Sequence, residues 1–456
     1  MSPLSTPAAP GAPAPADTIE SHHTRFVAWL RQVAPYIHKF VGQTFVMGIP
    51  GEVLESPGSI NALVQDLSLL HSIGIRIVIV NGCRPQINEQ LRLRGREPQY
   101  HDGLRITDQV TLECAKEAAG EIRYDMEALF SQGLPNTPMA NAGIRVISGN
   151  FTLARPVGIV DGVDFAYSGL VRKVDAASIR TALDNKQIVL LSNIGYSATG
   201  EAFNLSMEEV AAATAIALDA DKLVFLCEDD GLADDQGRIQ TEISEATARQ
   251  LLDSPALPPT IRPYLRAALR ACEGGVTRSH MVPFATDGVV LLEFFLHDGI
   301  GTMVVEETLE ALREATPDDV GGILAVIQPL EEDGTLVKRD RALIESEIAN
   351  FTVIEHDEVI FGCAAMYAFP EERMAEMACL AVSAQSQGKG DGERLMQRIE
   401  QRARAAGIRT LFVLTTRTGH WFLKRGFRPG TVDDLPGSRK NLYNWQRRSQ
   451  VLLKDL

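Results

Sequence analysis

A glycine-rich turn between a predicted strand and a predicted helix is the segment of this chain best suited to bind an anion. Residues 377–395 read MACLAVSAQSQGKGDGERL: an apolar strand ends at Val382, and a helix follows with Leu395 on its inner face. The turn itself contains Gln387, Gly388, Lys389, Gly390 and Gly392. At a helix N-terminus such a turn exposes several backbone N–H groups, and glycines let a pyrophosphate approach them. A purely structural turn is the alternative.

The order of elements around this turn resembles the GNAT acetyltransferase family. After the helix come another strand and then residues 420–427, HWFLKRGF, whose Gly-Phe is a mark of that family. The resemblance implies that the turn holds the pyrophosphate of acetyl-CoA, and that the strand edge at Cys379–Val382, including Leu380, takes the pantetheine arm. Asp391 departs from the family pattern, in which an apolar residue is common, and it places a negative charge near the phosphates.

Acetyl transfer to an amine requires a base, a donor that polarises the thioester oxygen and an acid for the leaving thiolate. Glu376 lies a few residues before the strand edge and is the candidate base; a solvent-facing acid at the edge is the alternative. The backbone N–H of Cys379 or Leu380 is the candidate donor. Many GNAT enzymes have a tyrosine four residues before the Gly of Gly-Phe, but Phe422 stands here. Thr415 or solvent is left as the acid.

Two groups of basic residues suggest the kind of acceptor. The first group is Lys338, Arg339 and Arg341, and the second is Arg439, Lys440, Arg447 and Arg448, followed by Ser449. Arginine offers paired hydrogen bonds to a carboxylate. Two separated groups around one acetyl-transfer site therefore suit a small substrate with two carboxylates, whereas a solvated basic tail is the alternative.

Composition excludes several classes of protein. The chain has 456 residues, more than the roughly 250–300 that one core supports, so at least two domains are expected. Its net charge of −15 argues against a nucleic-acid partner. It has neither an apolar run of about 20 residues nor an N-terminal signal core, which argues against a membrane partner and secretion. The six cysteines lack zinc-ligand spacing, so we expect reduced thiols, no metal and a cytoplasmic protein.

The hydrophobic pattern predicts two α/β domains. Residues 1–22, rich in Pro, Ala and Ser, predict a disordered leader. Residues 23–302 alternate strands and helices, which predicts a parallel sheet covered on both faces, a three-layer α/β/α arrangement. Residues 303–312 read as a linker, and residues 313–456 as the second α/β domain. Its first helix should start at Thr316–Asp319, where a capping threonine, a proline and two acids follow one another.

Individual elements follow from the same pattern. Strands are predicted at Phe45–Ile49, Ile75–Val80, Ile188–Leu191, Lys222–Cys227, Thr352–Ile354, Val359–Phe369, Met374–Val382 and Thr410–Thr415. Helices are predicted at Ile60–Ile73, Thr107–Gln132, Met207–Leu218 and Glu393–Ala405. An N-terminal helical pattern over Phe26–Ile37 should bend or end at Pro35.

From Phe26 onward the chain is similar to the bacterial N-acetylglutamate synthase family. The motifs that carry the resemblance are PYI at 35–37, SGNF at 148–151, TGEAFN at 199–204, DGIG at 298–301, EMAC at 376–379 and WF at 421–422. The resemblance implies an acyltransferase that moves acetyl from acetyl-CoA to the α-amine of L-glutamate, the first step of arginine biosynthesis. It implies glutamate contacts at Leu336, Lys338, Cys379, Arg439, Arg447 and Ser449. Glu376 matches the family's proposed base, and Thr415 stands where some relatives have serine.

The first domain resembles amino-acid kinases but lacks their chemistry. Gly48 occupies the position of the lysine that contacts the transferred phosphate, and Pro50 replaces a glycine. The second glycine loop is altered as well, to NGCRP at 81–85. Phosphoryl transfer depends on positioning and charge stabilisation, so loss of the lysine predicts no kinase activity.

The resemblance implies that L-arginine binds the first domain as an allosteric effector. The matching residues are Tyr36, His280, Glu293, Gly299 and Gly301. The alternative is a surface glutamate beside a packing tyrosine. The family also suggests a homo-hexamer. Two other functions stay open: a bifunctional synthase and kinase, and an amino-acid-regulated protein lysine acetyltransferase.

Overall fold

The computed structural model describes residues 19–133, 137–234, 236–296, 299–306, 310–384, 386–387 and 390–456. Contacts divide the chain into two units, Met1–Glu307 and Thr308–Leu456. Each unit has its own main sheet and its own buried cores on both faces of that sheet. Within the described residues, we find no helix with both the length and the apolar character that a membrane crossing requires.

The strands of the first unit are β1 Thr44–Ile49, β2 Arg76–Asn81, β3 Tyr100–His101, β4 Leu104–Arg105, β5 Val146–Ile147, β6 Thr152–Pro156, β7 Ile159–Val160, β8 Val163–Asp164, β9 Gly169–Val174, β10 Ile188–Ser192, β11 Ile194–Tyr196, β12 Ala202–Asn204, β13 Lys222–Cys227, β14 Glu242–Ser244, β15 Arg278–Pro283 and β16 Thr302–Val305. Its helices are α1 Ile19–Phe40, α2 Pro57–Ser72, α3 Arg84–Leu93, α4 Gln109–Gln132, α5 Ala176–Asp184, α6 Met207–Leu218, α7 Glu245–Asp253, α8 Arg262–Glu273 and α9 Val289–Phe295.

The main sheet of the first unit has the strand order β14-β16-β15-β13-β1-β2-β10-β5 among the described residues, and only β15 and β16 pair antiparallel. Successive residues of β1 enter different cores: Val46 packs on one face of the sheet, and Phe45 and Met47 pack on the other. Both faces are therefore covered, which confirms the predicted three-layer α/β/α arrangement. A smaller sheet has the order β12-β11-β6-β9.

Helix α1 differs from its prediction. It starts at Ile19, inside the predicted leader, and continues past Pro35 to Phe40. Proline removes one backbone hydrogen bond from a helix, but packing at the far end can outweigh that loss. Phe40 is buried, and its ring centroid lies 5.6 Å from that of Phe45 and 6.2 Å from that of Phe294. Tertiary packing thus holds the last turn of α1 in place.

The connection predicted at 303–312 is shorter in the structure. Residues 303–305 belong to β16, where Met303 pairs with Glu242 and with His280 in the first sheet. Residues 310–312 belong to β17, the first strand of the second unit. The apolar run MVV at 303–305 pairs with β14 and β15, which precede it by many residues, so the local pattern alone predicts a connection there.

The strands of the second unit are β17 Glu310–Glu314, β18 Phe351–His356, β19 Val359–Phe369, β20 Met374–Val382, β21 Thr410–Thr415, β22 Arg428–Gly430 and β23 Gln450–Asp455. Its helices are α10 Val320–Glu332, α11 Arg341–Ser346, α12 Asp391–Ala405, α13 Gly419–Leu423 and α14 Gly437–Asn441. Helix α10 follows a single 3-10 turn at Pro317–Asp319, where Thr316 N–H donates to Asp319 Oδ2 at 2.7 Å.

The sheet of the second unit has the strand order β17-β18-β19-β20-β21-β23-β22 in the described part of the chain. Of these seven described strands, only β20 and β21 pair parallel. Helix α12 buries Leu395 and Ile399 on one face, and helix α10 buries Ile323 and Ile327 on the other. This arrangement places the C-terminal end of β20 and the N-terminus of α12 next to each other in sequence, at the glycine-rich turn.

Candidate active site

Strands β20 and β21 separate after the first three residues of β20. Their parallel pairing covers Met374 to Glu376 and ends where Glu376 meets Phe412. The rest of β20 continues to pair with β19, with an irregularity beside Cys379, whose φ is 52°. A β-bulge of this kind bends a strand away from its neighbour. The edge of β20 at Cys379–Val382 therefore faces an opening between two diverging strands, where its N–H and C=O groups can bind an extended ligand arm.

The glycine-rich turn leads into helix α12. Gly390 is the N-cap residue with a φ of 98°, a left-handed conformation that glycine adopts without a Cβ clash. Gln387 is exposed and Gly392 is half-buried in the first turn, whereas the predicted Gly388 and Lys389 lie outside the described residues. Asp391 is buried at the first helical position, with Oδ1 3.5 Å from Arg394 Nη1. Its negative charge therefore lies at the positive end of the helix dipole and beside a cation.

Glu376 lies at the point where the two strands begin to separate. The residue is only 7% exposed, so the alternative of a solvent-facing acid does not describe it. Arg439 donates to both carboxylate oxygens, from Nε to Oε2 and from Nη2 to Oε1, the latter at 3.0 Å. The ion pair with Glu376 raises the pKa of Arg439. A desolvated, oriented carboxylate thus faces the start of the opening, held by one of the predicted substrate-binding arginines.

Cys379 lies next to this pair with its side chain in the core. Burial raises the pKa of the Cys379 thiol to about 11, so the thiol is protonated at neutral pH. The chemistry that Cys379 can offer at neutral pH is therefore that of its main chain.

Two neighbours of the site were missed in the sequence. Tyr367 stands directly opposite Glu376 in the antiparallel pairing of β19 and β20, and its hydroxyl donates to Glu347 Oε2 at 2.6 Å. Burial raises the pKa of Tyr367, and the hydrogen bond to Glu347 acts in the same direction. The signal that could have found Tyr367 is the two-residue period of Cys363, Ala365 and Tyr367, which places all three on the same face of β19.

Thr415 ends strand β21 on the other side of the opening. It is buried, and its hydroxyl lies 2.8 Å from the hydroxyl of Thr418 and accepts the Thr418 N–H at 3.1 Å. Thr415 pairs with Gln450 at the start of β23. A hydroxyl is therefore present at the end of the diverging strand, in a small hydrogen-bonded turn.

The second basic group contacts the turn that precedes the first basic group. Arg447 Nη2 donates to the carbonyl oxygen of Gly334 at 3.2 Å and also to that of Thr335. Leu336 follows, half-buried, and its N–H donates to the Leu330 carbonyl oxygen at 2.8 Å. Ser449 is half-buried and accepts a hydrogen bond from Tyr443 through its carbonyl oxygen. Distant parts of the sequence thus meet in the second unit.

Lys338 is placed differently from its neighbour Arg339. The Lys338 side chain is exposed, and no contact among the described residues brings it to Glu376. Arg339 is half-buried, and its charge acts on the Cys379 thiol, where it opposes the rise in pKa that burial causes. Of the first basic group, Arg339 is therefore the cation nearest the core of the site.

A second polar cluster lies in the first unit and contains the residues matched to arginine binding. Glu293 is 8% exposed, so it is not a surface glutamate. Its Oε1 bonds His280 Nδ1 at 2.7 Å, and its Oε2 accepts the N–H groups of Ile300 and Gly301 at 2.7 and 3.1 Å. Gly299 adopts a φ of 58° just before them. A carboxylate has about four acceptor positions, and donors among the described residues use three of them.

His280 is neutral in this cluster. Burial lowers the pKa of His280 to about 4, and the positive charge of Lys222 acts in the same direction. Neutral His280 therefore donates from Nδ1 to Glu293, while its Nε2 faces Lys222 Nζ at 3.4 Å. Hydrogen bonds to the carboxylate outweigh the effect of burial and lower the pKa of Glu293. Tyr36 packs against the adjoining core, with its ring centroid 6.2 Å from that of Phe40.

Gly48, at the position of the kinase lysine, is enclosed by side chains. A Cβ atom on Gly48 would lie 2.6 Å from Phe225 Cδ1 and 2.8 Å from Met207 Sδ. Real Cβ contacts are not this short, so the position has no room for a longer side chain. The packing thus agrees with the sequence, in which the cation needed for phosphoryl transfer is missing.

Comparison with known proteins is consistent with both units. Residues 43–283 match the amino acid kinase family, and residues 347–429 match the acetyltransferase (GNAT) domain. An amino-acid acetyltransferase from Ralstonia nicotianae is 60% identical over 95% of this chain and 96% of its own length. The chain belongs to the amino-acid acetyltransferase family. This acetyltransferase is also 48% identical to the Azotobacter vinelandii enzyme, over 94% of this chain and 99% of that one.

Solved structures give the same assignment. The N-acetylglutamate synthase of Neisseria gonorrhoeae, complexed with coenzyme A and L-arginine, is 39% identical with a TM-score of 0.83, over 94% of this chain and 99% of that one. The same enzyme complexed with coenzyme A and N-acetyl-glutamate gives 40% identity and a TM-score of 0.60 over the same shares. This acetyltransferase is therefore an acyltransferase with an amino-acid-kinase-like domain followed by a GNAT domain, as the sequence predicts.

Proposed function

We propose that this enzyme is an N-acetylglutamate synthase, which transfers acetyl from acetyl-CoA to the α-amine of L-glutamate in the first step of arginine biosynthesis. The observation that carries the proposal is the buried Glu376–Arg439 pair at the point where β20 and β21 separate. In this pair, Glu376 is a proton acceptor and Arg439 is a cation that can bind a carboxylate, and both lie beside the free edge of β20. The relative from Neisseria gonorrhoeae, whose structures contain coenzyme A, supports acetyl-CoA as co-substrate.

In this proposal, acetyl-CoA binds along the second unit. Leu380 and Val382 offer the free edge of β20 to the pantetheine arm, and the turn at Gln387, Gly388, Lys389, Gly390 and Gly392 binds the pyrophosphate. The left-handed Gly390 at the start of α12 supports this assignment, because it leaves N–H groups of the first turn open to an anion.

The catalytic roles follow from position. Glu376 accepts a proton from the ammonium group of the acceptor, directly or through water. The backbone N–H of Cys379 polarises the thioester oxygen, and Thr415 is the candidate acid for the leaving thiolate. Burial of Glu376 and Thr415 supports these roles, since a water-excluded site strengthens each electrostatic interaction.

We propose that the two carboxylates of glutamate bind the basic residues around Glu376. Arg439 and Arg447 are the principal contacts, with Lys338, Ser449 and the main chain of Leu336 completing the set. A protein lysine acetyltransferase would need a groove for an extended, cation-bearing segment, and arginines at the site disfavour that alternative. The enclosed Gly48 likewise disfavours a bifunctional synthase and kinase.

We propose that L-arginine inhibits the enzyme by binding near Tyr36, His280, Glu293, Gly299 and Gly301. The remaining acceptor position on Glu293 suits one N–H of a guanidinium. On this proposal residues 23–302 are regulatory and residues 313–456 are catalytic. The family resemblance also supports a cytoplasmic homo-hexamer, which light scattering on the purified chain would test.

The test is release of coenzyme A from acetyl-CoA in the presence of L-glutamate, measured with and without L-arginine. Glutamate-dependent release that arginine suppresses is the expected result. Release that arginine does not affect would contradict the regulatory proposal and leave the synthase in place. An absence of release with glutamate, combined with release on a lysine-containing peptide, would overturn the proposed acceptor.

A further inference from the structure

The connection between α10 and α11 lies on the face of the second sheet that carries Glu376. Glu376 stands directly opposite Tyr367 across β19 and β20, so the two side chains lie on the same face. Tyr367 packs against the core between this face and α10. Leu336, four residues after the end of α10, packs against the same core, which includes Cys379. Residues 333–339, here named the strap, therefore lie on the side of the sheet where the proposed base is found.

Two arginines from distant segments bind the carbonyl groups of the strap. Arg447 Nη2 donates to the carbonyl oxygen of Gly334 at 3.2 Å and to that of Thr335. Arg417 Nη2 donates to the carbonyl oxygen of Asp333 at 2.8 Å, and Arg417 Nη1 donates to Asp333 Oδ2 at 3.3 Å. Asp333 Oδ1 in turn accepts the Thr335 N–H at 2.8 Å. Three successive carbonyl groups of one turn are thus held by two guanidinium groups.

The two arginines come from the far border of the opening between β20 and β21. Arg417 follows Thr415, the last residue of β21, by two positions. Arg447 precedes β23, the strand that pairs with β21 on its other side. The strap itself begins at the end of α10, which packs on β19 and β20. It therefore connects the two strands that diverge at Glu376.

The ion pair of Arg417 and Asp333 is too exposed to matter much for folding. The side chain of Arg417 is 58% exposed, and that of Asp333 is 48% exposed. Exposed ion pairs contribute little to the free energy of unfolding, because water screens the charges and the long side chains lose entropy. The effect of Arg417 is therefore expected on the position of the strap, whose backbone it binds, rather than on the stability of the unit.

We propose that Arg417 is a positioning residue of the acceptor site, and that it holds the strap where the site fits a diacid of the length of glutamate. This inference rests on the proposed synthase function, in which Leu336 and Lys338 of the strap contact the acceptor together with Arg447. A fixed strap sets the distance from these contacts to Glu376, and that distance limits the length of the acceptor. An acceptor with one more methylene group, such as 2-aminoadipate, is then disfavoured.

The experiment is steady-state release of coenzyme A by Arg417→Met and by the unmodified chain, with L-glutamate and with L-2-aminoadipate. KM for glutamate should rise about 5-fold in Arg417→Met, between the effects of an exposed ion pair and of a charge-assisted hydrogen bond. Its kcat and its KM for acetyl-CoA should not change, and its preference for glutamate over 2-aminoadipate should decrease. Arg417→Lys keeps a cation and should recover part of the affinity for glutamate.

Arg428→Met is the matched control. Arg428 is 59% exposed and pairs with Asp455 at 3.6 Å, so it resembles Arg417 in exposure and charge but lies away from the strap. It should keep the kinetics and the preference of the unmodified chain. A fall in kcat of Arg417→Met without a change in KM, or an unchanged preference for glutamate, would overturn the proposal.

Hydrogen exchange without any acceptor tests the hold on the strap directly. The N–H groups of Leu336 and Arg339 donate to the Leu330 carbonyl oxygen and to Glu331 Oε1. Both should exchange faster in Arg417→Met, while the amides of β20 keep their rates. Equal exchange at the strap in the two chains would overturn the proposal. If the unmodified chain releases no coenzyme A with glutamate, the synthase function fails, and the exchange measurement alone decides whether Arg417 holds the strap.

Discussion

Two buried carboxylates in this molecule are almost equally enclosed but differ in their partners. Glu293 is bonded by His280 and by two backbone N–H groups of its own unit, and the fold holds all three donors in place. Glu376 is bonded by the side chain of Arg439, which is 24% exposed, at the start of an opening between two strands. Burial alone therefore does not distinguish a reacting acid from a structural or ligand-binding one. The distinction lies in whether the partner can exchange with a substrate.

The largest effect is expected at Glu376. Glu376→Gln keeps the size of the side chain but removes the proton acceptor, so kcat for glutamate should fall by about 100- to 10,000-fold with little change in KM. Glu372→Gln, at an exposed glutamate just before β20, is the matched control and should keep normal kinetics. Steady-state release of coenzyme A measures both. Unchanged turnover of Glu376→Gln across the pH range would remove Glu376 from the mechanism.

The Glu293 cluster should make the stability of the first unit sensitive to acid. His280 has a folded pKa of about 4 and an unfolded pKa near 6.5, so the unfolded chain takes up a proton in this window that the folded chain does not. The free energy of unfolding of the first unit should therefore decrease by about 3 kcal/mol as the pH falls from 6.5 to 4. The lowered pKa of Glu293 acts in the same direction at lower pH.

Hydrogen exchange of the β13 and β15 amides, which flank this cluster, measures that loss of stability. In His280→Gln, which cannot be protonated, the slope between pH 6.5 and 4 should become smaller. An equal slope in His280→Gln and in the unmodified chain would assign the acid sensitivity to other groups.

A smaller effect is expected at the edge of the site. Arg447→Ala removes a cation that contacts the turn before Leu336, and KM for glutamate should rise about 10-fold, near the value of one charge-assisted hydrogen bond. The neighbouring Arg448 is exposed, and Arg448→Ala should leave KM unchanged. A rise in KM confined to acetyl-CoA would contradict the assignment of Arg447 to the acceptor.

The smallest effect is expected at Thr415. Thr415→Val removes the hydroxyl and should lower kcat by roughly 10-fold, less than a typical general acid contributes, because solvent is a competing proton donor. Thr415→Ser keeps the hydroxyl and should restore most of the activity. If the serine variant is as slow as the valine variant, packing of the methyl group rather than proton transfer explains the loss.

Strands and helices with a strong local pattern were predicted well. The bounds of Val359–Phe369, Met374–Val382 and Met207–Leu218 in the structure are those of the prediction. In each case, a continuous apolar or periodic run ends at turn residues, so neighbouring residues carry the information. The hairpins of β3–β4 and β7–β8 were not predicted, although Asp-Gly at 102–103 and 161–162 is a turn signal.

The site could be predicted as a set of residues but not as an arrangement. Arg439 and Glu376 are 63 residues apart, and their ion pair depends on how the C-terminal segment folds back. Tyr367 faces Glu376 only because of the strand register, which depends on the bulge beside Cys379. The course of α1 past Pro35 likewise depends on the distant Phe294. Each of these features depends on contacts between residues that are distant in sequence, and local sequence patterns do not predict such contacts.

The position of β23 has a consequence for how the second unit forms during synthesis. Strand β23 lies between β21 and β22, although both precede it in the chain. Neither neighbour can complete its pairing until residues 450–455 have left the ribosome. Until then, the apolar edge of β21 is exposed in the nascent chain, which makes it a target for chaperones and for aggregation. Slower translation should therefore give the first unit more time to fold during synthesis. It should not let the second unit complete its sheet before synthesis of β23.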